Sequence, residues 1–226
     1  MNPDWKLNIV MPMAGLGSRF RQAGFTVPKP LIEVRGRPMY AWATESLPLE
    51  HSTRLIFILL ATQPEYPDLK RDIETRYAKH QPVILTVPEL TAGQAITVLR
   101  AKEHIANDEP LLIHNADTAF DIDHAWVEHA RREQLDGALL VFPSQEKRWS
   151  FAQENTRGLV DEVREKEVVS PWASTGTYWF ARGNDFVRAA EARVNAGRRE
   201  ASEYYVGPPC NDLISHHARI RNYYIQ

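Results

Sequence analysis

Five short aliphatic runs, each followed by a longer amphipathic stretch, set the first limit on how this chain can fold. The runs cover residues 7–13, 55–61, 83–87, 111–114 and 137–142. Between them, stretches with apolar residues at helical spacing occupy 39–47 after Pro38, 67–77 with Leu69, Ile73 and Tyr77 on one face, 95–105 and 124–134. Strands that alternate with helices are the sequence form of βαβ units and of a mostly parallel sheet. The first 142 residues therefore read as doubly wound. Beyond them the rhythm changes, with strands expected at 159–163 and 175–180, a helix at 185–194 and a last strand at 219–225. No Gly/Ser/Pro-rich linker divides the two parts, so 143–226 is expected to finish the same sheet within one domain, 1–226. The expected class is α/β: a doubly wound, mostly parallel but mixed sheet with helices on both faces.

Composition removes several function classes. Lys plus Arg number 27 against 29 for Asp plus Glu, a formal charge of −2. No long-range positive field is available to hold a nucleic-acid backbone. The single cysteine, Cys210, can form neither an internal disulfide nor a zinc cluster and fits a reducing compartment. The N-terminus carries Pro3 and Asp4 where a signal peptide needs basic and apolar segments, and the run at 55–61 is too short to cross a bilayer. A cytoplasmic location without membrane partners is the expectation. The histidines lack HExxH spacing, no Gly-x-Ser-x-Gly elbow occurs, and Cys210 has no recognisable base nearby in sequence.

The most informative local pattern follows the first strand. It runs Ala14-Gly15-Leu16-Gly17-Ser18-Arg19 and, past a short spacer, Val27-Pro28-Lys29-Pro30-Leu31. Ligands of open α/β sheets bind outside the carboxyl ends of the strands, which is where this loop must lie. Gly15 and Gly17 let backbone N–H groups turn toward an anion without a Cβ in the way. The dinucleotide fingerprint fails, because Phe20 stands where its third glycine belongs, and Lys29 is not at the head of a P-loop helix. Instead Pro28 and Pro30 hold Lys29 on extended chain as a projecting charge. Residues 19–37 hold Arg19, Arg21, Lys29, Arg35 and Arg37 against Glu33 alone, which makes this stretch +4 and the remainder −6. A polyphosphate would account for such a gathering of cations, although a solvated basic loop would also produce it.

With Gly15 to Arg19 and Pro28 to Leu31 in view, the chain resembles the sugar nucleotidyltransferase family, the nucleoside-diphosphate-sugar pyrophosphorylases, as a minimal single-domain member with a Rossmann-like sheet. The similarity continues through Gly93-Gln94-Ala95, Asn115-Ala116-Asp117, Glu165-Lys166 and Thr175-Gly176-Thr177-Tyr178. Met11-Pro12-Met13 departs from the small residues of many relatives, and no C-terminal repeat or acetyltransferase-like domain follows. The resemblance implies that a nucleoside triphosphate is joined to a small phosphorylated sugar or polyol with release of pyrophosphate and with Mg²⁺ as cofactor. It implies CTP or UTP as the triphosphate, a role in carbohydrate or polysaccharide biosynthesis, Arg19 on the leaving pyrophosphate, and Lys29 between the attacking phosphate and the α-phosphate. Ala14, Gly15, Gly17, Ser18, Gly93 and Gln94 become the nucleotide-binding residues, and Gly158, Glu165 and Gly176 the acceptor-binding ones. A homodimer is compatible with it.

Asp117 follows the apolar run 111–113 at a strand's carboxyl end, beside the first loop, and is the first metal ligand; capping a turn is its ordinary alternative. Asp123 precedes a helical stretch and reads as its N-cap, so Asp121 and Asp123 stay out of the metal site. Asn211 is the second ligand, with Asp212 and Glu203 behind it, against the alternative that Asn211 caps the helix running to His217. Gln94 can donate to and accept from a base edge, or simply start a helix. Glu165 can accept hydroxyl hydrogen bonds, or belong to a solvated charged run at 163–167. Two other functions compete: a glycosyltransferase of similar fold, which would bind its metal through Asp121 and Asp123, and a nucleotide-binding regulatory subunit without turnover.

Overall fold

The computed structural model describes residues 6–225. Pro3 and Asp4, on which the reading against a signal peptide rests, lie outside these residues. Eleven strands follow in chain order: β1 (Leu7–Met13), β2 (Glu33–Val34), β3 (Arg37–Pro38), β4 (Ser52–Leu60), β5 (Val83–Val87), β6 (Leu111–His114), β7 (Gly137–Pro143), β8 (Ser150–Glu154), β9 (Val160–Glu165), β10 (Trp172–Phe180) and β11 (Ile220–Tyr224). The helices are α1 (Ser18–Gln22), α2 (Met39–Glu45), α3 (Tyr66–Arg76), α4 (Gln94–Leu99), α5 (Lys102–Ile105), α6 (Ala125–Arg132), α7 (Gly183–Asn195) and α8 (Pro209–Ser215).

The main sheet has the order β11-β7-β10-β6-β1-β4-β5, with the β8–β9 hairpin branching from β10. β1 pairs in parallel with β4 and β6, and β4 with β5, as expected of βαβ units. β10 runs antiparallel to both β6 and β7, which makes the sheet mixed. The small β2–β3 pair stands apart. The central strands of the main sheet are mostly apolar because both faces are covered, with Asn8 and His114 as buried polar exceptions in β1 and β6. In β4, Leu55, Phe57 and Leu59 enter the layer formed with Tyr40, Leu69, Ile73 and Trp126 of α2, α3 and α6. Ile56, Ile58 and Leu60 enter the opposite layer with Val98, Ile105, Phe186 and Leu213 of α4, α5, α7 and α8. A period of two within one uninterrupted apolar run thus feeds two cores.

Three elements differ from the sequence expectation. The single helix expected at 95–105 is two, since Arg100 and Ala101 donate to carbonyls three residues back and tighten the chain between α4 and α5. The strand at 150–154 was not expected at all; the charged stretch before it hides a hairpin closed at 155–159, where Asn155 N–H donates to Leu159 O at 2.8 Å. α1 is a single exposed turn, without the buried face that gives a helix its sequence period. Cys210 is buried and free, and burial pushes its thiol up to about 12, so it is chemically quiet at neutral pH. Among the described residues no helix is long and apolar enough to cross a membrane.

The layer holding α5 and α7 tolerates no added volume at Gly183. A Cβ there would lie 1.9 Å from the Ile105 carbonyl oxygen, a backbone atom that cannot swing away. Gly183→Ala is expected to lower unfolding stability by about 1–3 kcal/mol, measured as the shift in urea midpoint at constant m-value; an unchanged midpoint would mean that the two helices slide apart at no cost.

Candidate active site

The carboxyl ends of β1 and β6, the α4 turn and the β8–β9 hairpin surround an open cleft of about 590 Å³. Its first wall is the loop after β1. Gly17 adopts φ 60, and a Cβ on it would stand 2.9 Å from Lys29 Cβ, so glycine serves both the left-handed turn and the close passage of the lysine stem. Buried Gln63 props this loop by donating to Gly15 O at 3.2 Å. Pro28 is extended at φ −62, ψ 145, but Lys29 itself begins a single 3-10 turn, which corrects the expectation of extended chain at that residue.

From that turn the Lys29 ammonium reaches across the cleft and forms an ion pair with the Asp117 carboxylate. The two side chains keep 28% and 33% of their exposure, so water screens the pair, and its worth falls in the range of about 1 kcal/mol or less found for such contacts. An incoming polyanion can replace it at little cost. Lys29 Nζ also lies 5.7 Å from the ring centroid of Phe20, the residue that follows Arg19 in α1.

The second wall is the turn at Gly93-Gln94. Gly93 holds φ 135 because the chain of Tyr204 crosses it; a Cβ would sit 2.4 Å from Tyr204 N. Tyr204 N–H donates to Ala92 O at 3.0 Å, and Ala95 N–H donates to Tyr204 O at 2.9 Å, which clips the turn to the loop bearing Glu203 and Tyr205. That loop reverses through Ala201 (φ 44) and Ser202 (φ 78), and buried Arg193 fastens its base by pairing with Glu200 and, at 2.7 Å, with Asp212. Gln94 Nε2 donates to Asn115 Oδ1 at 2.5 Å. The Asn115 amide lies on Gly176, where a Cβ would be 1.9 Å from Asn115 Nδ2; Gly176 is at φ 81 in the bulge of β10.

The far end is lined by Arg148, Trp149, Ser150, Glu165, Tyr178, Glu203 and Tyr205. Ser150 Oγ donates to Glu165 Oε1 at 2.7 Å, and the two residues are register partners across β8 and β9. Burial, aided by the nearby charges of Glu200 and Glu203 and opposed by Ser150 and Lys166, pushes the Glu165 carboxyl up to about 7. Lys166, at φ 59, donates to Tyr205 Oη at 2.7 Å.

Of the residues selected from sequence, Ala14, Gly15, Gly17, Ser18, Arg19, Lys29, Gly93, Gln94, Asp117, Glu165 and Gly176 all line this one cleft. Two do not, and these readings are corrected. Asn211 turns its amide to the backbone of β9: Val163 N–H donates to Oδ1 and Nδ2 donates to Val163 O, each at 2.8 Å, so it fastens α8 to the sheet and is absent from the cleft lining. Gly158 lies in the β8–β9 turn at φ 70, where its N–H donates to Asn155 O at 3.0 Å, and it is absent from the cleft lining. Asp212 is committed to Arg193 and Arg198. Glu203 is the late carboxylate that does face the cleft. Sequence reading did not select Arg148 and Ser150 as wall residues; recognising the β8 hairpin was the signal that would have found them.

The cleft offers a cation hard oxygen ligands, the Asp117 and Glu203 carboxylates, and neither imidazole nor thiol is among its lining residues. No group of three or more His, Cys, Asp and Glu residues that could hold a metal occurs among the described residues. Such a set fits Mg²⁺, which takes one or two carboxylates and draws its other ligands from phosphates and water.

A family model described as nucleotidyl transferase matches residues 8–208. The structure superposes on the nucleoside-diphosphate-sugar pyrophosphorylase from Vibrio cholerae RC9 with a TM-score of 0.82 and 29% identity, over 96% of this chain and 91% of that one. It superposes on the inositol-1-phosphate CTP transferase from T. maritima with a TM-score of 0.77 and 11% identity, over 99% and 86% of the two chains. A UDP-glucose pyrophosphorylase complexed with UDP-glucose gives a TM-score of 0.74 and 14% identity, over 99% and 91%. The last two, at such identity, share the fold.

The Glu165 environment yields a pH prediction. Its folded-state value of about 7 lies above the ordinary 4.5, so between these limits the native protein holds more protons than the unfolded chain and stability falls as pH rises. Glu165→Gln removes that penalty. The variant is expected to melt above the wild type at pH 8, with the gap narrowing as pH is lowered to 5, in parallel thermal scans; a gap that does not change with pH would contradict the assignment.

Proposed function

The chain belongs to the nucleotidyl transferase family, and from that premise we propose that it joins CTP or UTP to a small phosphorylated sugar or polyol and releases pyrophosphate, using Mg²⁺. As a family member it is an enzyme of the sugar-phosphate nucleotidyltransferase type. The single observation that carries the finer reading is the convergence of the glycine loop, Arg19, Lys29 and Asp117 on one cleft.

In this reading a phosphate oxygen of the acceptor attacks the α-phosphorus, the α–β bridging P–O bond breaks, and its electrons leave on pyrophosphate. The attacking phosphate is already anionic, so no general base is required. The residues supply position and countercharge. The loop at 15–18 and Arg19 hold the departing phosphates. Lys29 leaves Asp117 to lie between the attacking group and the α-phosphate, which its flexible stem and the proline turn allow. Asp117 would hold Mg²⁺, with phosphates and water completing its shell, and the bound ion would add positive charge along the triphosphate. Ala14, Gly15, Gly93 and Gln94 take the nucleoside, and Glu165 and Gly176 the acceptor.

The preference for a pyrimidine is supported by the CTP transferase and UDP-glucose pyrophosphorylase among the structural neighbours. We take residues 1–226 as one nucleotidyltransferase domain acting in carbohydrate biosynthesis in the cytoplasm. The competing glycosyltransferase reading loses its acidic pair: Asp123 Oδ1 accepts the Ala125 N–H at 2.9 Å at the head of α6, and neither Asp121 nor Asp123 lines the cleft.

Pyrophosphate release from the four triphosphates, each with pooled sugar and polyol phosphates and Mg²⁺, is expected for a pyrimidine nucleotide. Lys29→Ala should lower kcat by about 10²–10³-fold. Turnover by the variant at the wild-type rate, or binding of triphosphate with no pyrophosphate from any acceptor, would overturn the proposal.

A further inference from the structure

A histidine closes β6, whose other three residues are Leu111, Leu112 and Ile113, and its side chain is completely buried. A fourth aliphatic residue would fill that place without polar atoms to satisfy. Both ring nitrogens of His114 are instead engaged. Nε2 lies 2.8 Å from the Thr118 carbonyl oxygen, which has no hydrogen to give, so Nε2 carries the proton. Nδ1 is then an acceptor, and the Thr177 hydroxyl, 2.8 Å away, donates to it. Thr177 is the register partner of His114 on β10, and its oxygen lies 2.8 Å from Thr175 Oγ1, which is 3.1 Å from Leu140 O on β7. Burial pushes the imidazole down to about 4, so it stays neutral near pH 7.

The segment that this imidazole spans is the one that carries Asp117. Asn115 N–H donates to Gly176 O at 3.2 Å at one end of it, and the Thr118 carbonyl is held through His114 at the other. Lys29, the partner of the Asp117 carboxylate, is the group the proposed reaction draws away. Once Lys29 has moved, the location of that carboxylate depends on the tethers at Asn115 and Thr118.

We propose that His114, with Thr177, is a positioning residue that fixes the Asp117 carboxylate for the divalent cation and the triphosphate. The proposal rests on the reading of Asp117 as the cation's ligand. It assigns His114 no contact with substrate and no proton transfer. Its effect falls on the use of bound nucleotide, more than on nucleotide capture, because the loop at 15–18 is held by Gln63 and the turn at 93–94, although Gln94 reaches Asn115, is clipped by its backbone to Tyr204.

The test uses the full chain in four variants. His114→Phe keeps a ring but neither nitrogen, His114→Gln keeps a donor and an acceptor, Thr177→Val removes only the hydroxyl, and Thr177→Ser keeps it. Steady-state kinetics are read beside Mn²⁺ affinity, measured by electron paramagnetic resonance in the presence of triphosphate without acceptor. Loss of a group that orients a metal ligand costs about 10–100-fold. His114→Phe is expected to lower kcat and weaken Mn²⁺ binding within that range, with KM for the triphosphate changed less than threefold. Thr177→Val should do the same in part, and Thr177→Ser and His114→Gln should recover most of the loss. The double variant His114→Phe/Thr177→Val should be no worse than His114→Phe alone, since both act through one path.

Folded His114→Phe with wild-type kcat and Mn²⁺ affinity would overturn the proposal, as would single-variant losses that multiply in the double, or a KM that rises as far as kcat falls. Should His114→Phe not fold, the Thr177→Val and Thr177→Ser pair decides by the same criteria. Asp117→Asn separates the two readings. Loss of Mn²⁺ binding there with wild-type behaviour of the His114 and Thr177 variants sinks only the positioning role, whereas wild-type Mn²⁺ binding by Asp117→Asn sinks the ligand assignment itself.

Discussion

The contact between the Lys29 ammonium and the Asp117 carboxylate joins the two halves of the site across the cleft. Neither charge is buried deeply enough to make the pair strong, and neither has another ion-pair partner among the described residues. Each is held in place by its own stretch of chain. On one side Pro28, Pro30 and the Cβ-free surface of Gly17 define the path of the lysine stem. On the other, a turn pinned to β10 presents the carboxylate. A weak contact between two firmly aimed groups suits the exchange for phosphates and a cation that the proposed reaction calls for.

The glycines follow the same logic of close approach. Gly93 and Gly176 stand in left-handed or extended positive-φ conformations, and each is crowded by an essential neighbour, Tyr204 in one case and Asn115 in the other. These two contacts clip the turn at 93–94 to the loop at 203–205, and Asn115 to the β10 bulge. The amide of Gln94 and the carboxylate of Glu203 are therefore parts of one connected wall of the cleft.

The parallel core was legible because an aliphatic run buried on both faces leaves a strong trace, and β1 spans 7–13 as its sequence predicts. The first loop was legible because glycine frees and proline narrows the backbone locally, whatever the distant chain does, although Lys29 sits in a 3-10 turn and not on extended chain. Asn211 was misread for the opposite reason. An amide beside a helix start looks the same in sequence whether it faces a cleft or, as here, clasps the backbone of Val163, 48 positions away. The β8 hairpin escaped notice because only Ser150, Phe151 and Ala152 of its five residues are buried, too few to set up a period. His114 left a fainter sign, one imidazole at the end of an aliphatic strand, and its meaning depends on Thr177, which pairs with it only in the folded sheet.

The most direct measurement is the anomalous scattering of Mn²⁺ in crystals grown with a non-hydrolysable pyrimidine triphosphate. Convergence of both charges on one polyanion requires a manganese peak against the Asp117 carboxylate and the Lys29 ammonium withdrawn from Asp117 onto the α-phosphate. A triphosphate bound elsewhere, or a Lys29–Asp117 pair still closed beside it with no manganese between carboxylate and phosphate, would contradict it.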